Sequence, residues 1–186
     1  MTMDSDATVW VSTTCECLVG LVFLNASVTK LRDASGFVDS VHRLAPAQVA
    51  QWSRPVAGVV VMLEALVPIL LLTQLTVRVG LALAASLLIA FTLAIVDALR
   101  RGAGVRCRCF GAARLPLGRR HVARNAVLLL TVVAAGVTAP SALLSVGGTQ
   151  LALAIAVSLP GVIVLVALDH IIDLFAPSVL ARVKES

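Results

Sequence analysis

Five apolar stretches, each close to the length of a membrane crossing, limit this chain more than any other feature. They run from Val9 to Thr29, Pro55 to Thr73, Val77 to Leu99, Val122 to Ala139 and Thr149 to Leu168. A helix needs roughly 20 apolar residues to cross about 30 Å of hydrocarbon, and each stretch comes near that length. A soluble core could not hide all five: 59% of the 186 residues are hydrophobic and 13% are charged, where soluble domains carry about 25% charged residues. In lipid a chain must satisfy its own backbone hydrogen bonds, so helices are the only sensible state. The expected fold is all-α: a polytopic transmembrane bundle of about five spans. No repeat or low-complexity linker divides it, and residues 1–186 read as one membrane domain.

Prolines punctuate the spans. Ser53 before Pro55 looks like a helix start, because Pro needs no donor in a first turn. Pro140 can stop the fourth helix. Pro68 should bend the second, and Pro160-Gly161 predicts a kink in the fifth or its division into two half-segments. Asp169, His170 and Asp173 then mark the solvated end of the fifth helix. The first eight residues carry Asp4 and Asp6 and no positive charge. A secretory signal would begin with basic residues, so the first segment reads as retained. Aromatic residues are only 4% and Tyr is absent, which leaves packing to Leu, Val, Ala and Gly.

Lys and Arg alternate by connection. The first loop holds Lys30, Arg32, Arg43 and Arg54, and the third holds Arg100, Arg101, Arg106, Arg108, Arg114, Arg119, Arg120 and Arg124. The C-terminus adds Arg182 and Lys184, and the opposite side has Arg78 alone. Fourteen against one predicts the N-terminus outside and the C-terminus in the cytoplasm of a cell-membrane protein. The net charge of +5 and pI near 9.7 therefore read as topology and headgroup contact, not as a nucleic-acid surface.

Reactive chemistry is concentrated in four cysteines. Cys15-Glu16-Cys17 lies in the first span, roughly 9–12 Å from its outer end. Residues two apart on a helix point about 200° apart. The reading is that one thiol faces inward, on the stripe of Val19, Val22, Ala26 and Thr29 or on that of Gly20, Leu24 and Leu31, and the other faces lipid. Cys107-Arg108-Cys109-Phe110-Gly111 lies in the basic third loop. There Arg106 and Arg108 favour thiolate, the nucleophile of disulfide exchange, and Gly111 permits an exposing turn. Against this stands the plain packing use of Cys as a small apolar residue. Four thiolates could also hold zinc or Cu(I), although the spacing is not Cys-x2-Cys and His42, His121 and His170 are scattered. Metal is the minor reading, no cofactor is implied, and there is no serine or histidine catalytic motif.

Glu16, Glu64 and Asp97 fall within or at the edge of apolar segments, where ionisable residues are costly and face a bundle interior or cavity. Glu64 reads as a proton acceptor near a thiol pair, as a partner for Lys30, or as a protonated structural acid. Asn25 and Lys30 on the first helix could reach it.

Several of these residues occur in a fixed order. Thr29-Lys30-Leu31-Arg32 precedes Gly36-Phe37, Leu44-Ala45-Pro46 and Met62-Leu63-Glu64. Asp97 to Gly102 leads into Cys107-Arg108-Cys109-Phe110-Gly111, and Arg124-Asn125 opens the fourth helix. In this order the chain resembles the methylamine utilisation protein MauE family, related to DoxX-like small membrane proteins, over roughly Val9 to Ala139. The resemblance implies a four-helix core over 9–139; the Cys15/Cys17 pair and the fifth span, read as an additional C-terminal helix over 149–175, are not part of what it implies. It also implies a role in methylamine metabolism, in maturing or exporting the disulfide-rich small subunit of methylamine dehydrogenase, with a thioredoxin-like partner. Cys107 and Cys109 take the family's cysteine positions, while Arg108 stands where glycine is common and His42 where an aromatic is common.

The leading expectation is a membrane thiol–disulfide relay or maturation factor. Cys107 and Cys109 would exchange with a soluble partner, and Cys15 or Cys17 would pass the disulfide state within the bilayer. The alternatives are a non-enzymatic assembly factor with structural or metal-binding cysteines, and a small-solute carrier using Glu64. Whether the chain is an enzyme is left open by its residues.

Overall fold

The structure is a computed structural model. It describes the backbone of residues 2–44, 51–100, 119–138, 143 and 146–183, and the side chains of 7–43, 51–100, 121–138, 143 and 146–165. Among the described residues six helices follow one another: α1 Thr2–Arg32, α2 Ala34–Leu44, α3 Ser53–Leu70, α4 Val77–Arg100, α5 Arg119–Val137 and α6 Gly148–Val183. There is no strand among the described residues. α1, α3, α4 and α6 each hold an apolar segment of 18 residues or more, and α5 holds a shorter one, His121–Val137.

The helices are apolar on both their inner and outer faces, as expected when lipid is the solvent. Val19, Val22 and Phe23 of α1 meet Val67 of α3, Leu81, Ala84 and Leu88 of α4, and Leu128, Val132 and Ala135 of α5 in one buried cluster. Met62, Leu93, Leu130 and Ile163 point outward and are exposed. The chain is a multi-pass helical membrane protein.

α1 is the hub. It packs against α3, α5 and α6, while α3 packs on α4 and α4 on α5. Thus α1, α3, α4 and α5 close a four-helix ring, and α6 lies outside it against α1. Ser158 Oγ donates to the Thr14 carbonyl at 3.0 Å, and a Cβ on Gly161 would lie 2.9 Å from Leu18 Cδ1. Thr14 to Leu18 and Ser158 to Gly161 ascend together, so α1 and α6 are parallel and enter from the same side. An odd number of crossings requires this.

Several boundaries differ from the sequence expectation. α3 ends at Leu70 rather than Thr73, two residues after Pro68. Pro has no N–H to offer the Glu64 carbonyl, and the helix closes with Leu71 N–H to Val67 O at 3.1 Å. Thr76 Oγ1 then caps the Leu70 carbonyl at 2.7 Å. α6 continues through Pro160-Gly161 as one helix to Val183. It does not divide there, and Asp169, His170 and Asp173 lie within it rather than beyond its end. Polar residues of ordinary helix propensity do not stop a helix that apolar residues continue on both sides. α2 was not anticipated at all. Asp33 begins it, with its Oδ1 accepting from Gly36 N–H at 3.2 Å, the position where an N-cap satisfies a free donor.

Candidate functional site

Two polar layers interrupt the apolar bundle, both centred on α1. The first contains Lys30. Its ammonium forms an ion pair and hydrogen bond with Glu64 Oε1 of α3, and both side chains have no solvent exposure. Two aromatic rings face the same nitrogen, with centroids at 5.0 Å for Phe37 of α2 and 4.8 Å for Phe91 of α4. Ring faces attract a cation, most strongly where water is excluded. Thus α1, α2, α3 and α4 each contribute to holding one buried ammonium. α5 adds Arg124, a second positive charge close enough to act on Lys30, and Asn125.

Asn125 is almost fully buried. Its Nδ2 donates to Thr92 Oγ1 of α4 at 3.3 Å, and Thr92 spends its own hydrogen on the Leu88 carbonyl at 2.7 Å. Thr92 can therefore only accept from Asn125, which fixes the orientation of the amide. Beside this pair, Ile89, Leu93, Val122, Ala126 and Leu129 complete a crevice of ≈ 160 Å³ between α4 and α5.

The second layer lies toward the other end of α1. Glu16 is fully buried and accepts a hydrogen bond from Ser12 Oγ one turn earlier, at 2.9 Å. Cys15 and Cys17 flank it as free thiols. Cys17 is 3% exposed, and Cys15 is half-buried against the core cluster. Of the two, Cys17 is the thiol that faces inward, while Cys15 keeps partial exposure although it packs on the core. The two point apart around α1, and because α1 has neighbours on three sides, the direction opposite Cys17 is only partly open.

The layers are well separated. Glu16 and Lys30 are fourteen residues apart on one helix, about 21 Å at the α-helical rise. Of the readings open for Glu64, the pairing with Lys30 is the one observed, and no cysteine thiol shares its layer among the described residues. Lys30 itself was counted as a loop charge, yet its side chain lies inside the bundle.

Cys107, Arg108, Cys109, Phe110 and Gly111 lie outside the described residues, so the chemistry expected of CRCFG rests on the sequence. Among the described residues, no three His, Cys, Asp or Glu side chains converge to hold a metal. The sequence reading missed Phe91, the Thr92–Asn125 pair and Ser12. A usable signal existed for the rings: Phe occurs five times in 186 residues, and two of the five flank one lysine.

No match is found among curated proteins or among solved structures. Residues 8–139 match the family described as methylamine utilisation protein MauE. That stretch runs from the start of the first span to the end of α5, and it contains the Lys30–Glu64 pair, CRCFG and Arg124-Asn125 but leaves α6 outside. It covers well over half of the chain, and the protein therefore belongs to the MauE family of methylamine utilisation proteins.

Proposed function

We propose that this protein is a maturation factor of methylamine utilisation that works by thiol–disulfide exchange at Cys107 and Cys109. The client is the disulfide-rich small subunit of methylamine dehydrogenase, as the family resemblance implies, and a thioredoxin-like protein is the exchange partner. A thiolate of one protein attacks a disulfide sulfur of the other, a mixed disulfide forms, and the second thiol resolves it. One S–S bond breaks as another forms, and two electrons and two protons pass from dithiol to disulfide. Arg106 and Arg108 supply the positive charge that favours the attacking thiolate.

The observation that carries this assignment is the burial of the other pair. Cys17 is buried in the bundle and Cys15 is half-buried against its core, both on a membrane helix, roughly 9–12 Å from the outer end of the span and, for Cys17, about 22 Å from the end of α1. A soluble partner cannot reach them there, and Cys107-Cys109 is the pair that lies in a connection between spans. The basic-loop asymmetry supports a plasma-membrane orientation with the N-terminus outside and CRCFG on the cytoplasmic side. Thiols are kept reduced on that side, so the resting pair is a dithiol. Passage of disulfide state through Cys15 or Cys17 belongs to the same proposal but spans a larger gap.

The test is mixed-disulfide trapping. Cys107→Ala or Cys109→Ala leaves one thiol without its resolving partner, and non-reducing electrophoresis should show a stable adduct with a thioredoxin-like protein or with the client. If neither variant traps a partner, the exchange role is lost. Survival of methylamine-dependent growth in the Cys107→Ala/Cys109→Ala double variant would favour the second reading, a non-enzymatic assembly factor. The Lys30–Glu64 scaffold supports that reading. A carrier using Glu64 is disfavoured, because its charge is already matched inside the bundle.

A further inference from the structure

α2 differs from the other helices in what it gains by packing. It has 11 residues and is sharply two-faced. Phe37 and Ser40 are buried, Val38 and Val41 are half-buried, and Asp39, His42 and Arg43 are exposed. It rests chiefly on α3, with smaller contacts to α1 and α4. Asp33 links it to α1 through Asp33 N–H to the Thr29 carbonyl at 3.3 Å and Phe37 N–H to the Asp33 carbonyl at 3.0 Å. It also sits at the end of α1 that carries Arg32, where the chain leaves the span, so both water and headgroups are within reach.

In water the apolar face of such a helix would be held on the protein by the hydrophobic effect. Beside a bilayer that driving force is absent, because lipid tails are as apolar as the bundle surface. A short amphipathic helix of this kind is equally suited to lying in the interface with its apolar face dipped into the acyl region. What distinguishes the docked position is therefore specific contact. The clearest is the Phe37 ring against the Lys30 ammonium, with its centroid at 5.0 Å. Phe37 is itself buried beside a pair whose side chains have no solvent exposure.

We infer that α2 is an interfacial strap with two alternative seats, on the bundle and in the bilayer surface, and that the Phe37–Lys30 contact sets the balance between them. Docked, it seals the buried ion pair. Released, it turns its apolar face to lipid without exposing it to water, and it uncovers the Lys30–Glu64 pair and the start of α3. Asp33 is the hinge, since it ends α1 and caps α2 with one residue. The strap thereby couples the state of a buried charge to the shape of the face that a partner on that side would meet.

The experiment is hydrogen exchange of the full chain in nanodiscs of phosphatidylethanolamine and phosphatidylglycerol. Phe37→Leu keeps the apolar volume and removes the ring face. Amides of 34–44 should then exchange about three- to thirtyfold faster, the range expected for loss of one cation–π contact, while α1, α3 and α4 keep their wild-type rates. The Lys30→Met/Glu64→Leu double variant removes the charge and leaves Phe37 in place, and it should release α2 with the same selectivity. Unchanged exchange of α2 in both variants overturns the inference. So does faster exchange of all helices together, which would make α2 an ordinary part of one cooperative bundle.

Discussion

Lys30 of α1 and Glu64 of α3, 34 residues apart in sequence, form an ion pair in which neither side chain has any solvent exposure. Taking two charges out of water costs several kcal/mol each, and the mutual attraction does little more than offset that cost. Removing one partner is far worse than removing both. Lys30→Met or Glu64→Leu alone should therefore destabilise the bundle by about 3–5 kcal/mol, while the double variant should be near neutral. Unfolding of detergent-solubilised protein by denaturant checks this. Double-variant losses equal to the sum of the singles would mean that the pair is not coupled as described.

Phe91 should contribute to the same site independently of shape. Phe91→Leu keeps an apolar side chain but loses the ring face 4.8 Å from Lys30, at a cost of about 0.5–2 kcal/mol. In the Lys30→Met/Glu64→Leu background that penalty should shrink to the packing difference alone. A Phe91→Leu penalty of the same size in both backgrounds would remove the cation from the explanation.

The thiols of α1 should react in order. In intact membranes a small permeant alkylating agent should modify Cys15, which is half-buried, well before Cys17, which is 3% exposed. Cys17 should react only after denaturation. Equal rates for the two would contradict the placement of Cys17 between helices. No oxidant should link Cys15 to Cys17 within one chain, because residues two apart on a continuous helix point about 200° apart.

Two glycines at helix contacts should differ sharply. A Cβ at Gly80 would lie 2.9 Å from Leu70 Cβ and 3.3 Å from its backbone carbon, so the α3–α4 turn itself must move. Gly80→Val should cost about 1–3 kcal/mol, as overpacking does. At Gly161 the near atom is Leu18 Cδ1, the far end of a flexible side chain. Gly161→Ala should be tolerated, with a melting temperature close to wild type. Reversal of that order would show that the α1–α6 seam, not the α3–α4 turn, is the rigid contact.

The spans were readable because lipid demands long apolar runs, and α4 in particular begins at Val77 as the pattern indicates. What surrounds each span was not readable, because protein-facing and lipid-facing sides are both apolar. Hence the pattern shows α1 with one inward face and divides Cys15 and Cys17 between protein and lipid, whereas Cys17 is buried and Cys15 is half-buried against the core. Counting Lys30 as a loop charge failed for a related reason. The positive-inside rule weighs charges by position along the chain and has no term for a partner such as Glu64, although Glu64 itself was recognisable as a candidate. α2 was hidden because only Phe37, Val38 and Val41 carry its apolar face, too few to stand out between two strong spans. The end of α6 was misplaced because Asp169 and Asp173 resemble an interface, whereas helix propensity carries the backbone past them to Val183.

The parallel contact between α1 and α6 bears on how the chain is made. Ser158 reaches back 144 residues to the Thr14 carbonyl. At a synthesis rate of about 5–20 residues per second, roughly 7–30 s separate the two. α1, made before the helices it packs against, thus has its full set of neighbours only when α6 is complete. Until α3 arrives, Lys30 has no Glu64, and until α6 arrives, one side of α1 lies open. Glu16 and Lys30, both fully or nearly buried in the finished bundle, must be carried through that interval by something other than their final contacts. α1 is therefore the segment most dependent on insertion machinery, and truncation after residue 139 would leave the hub permanently in its half-built state.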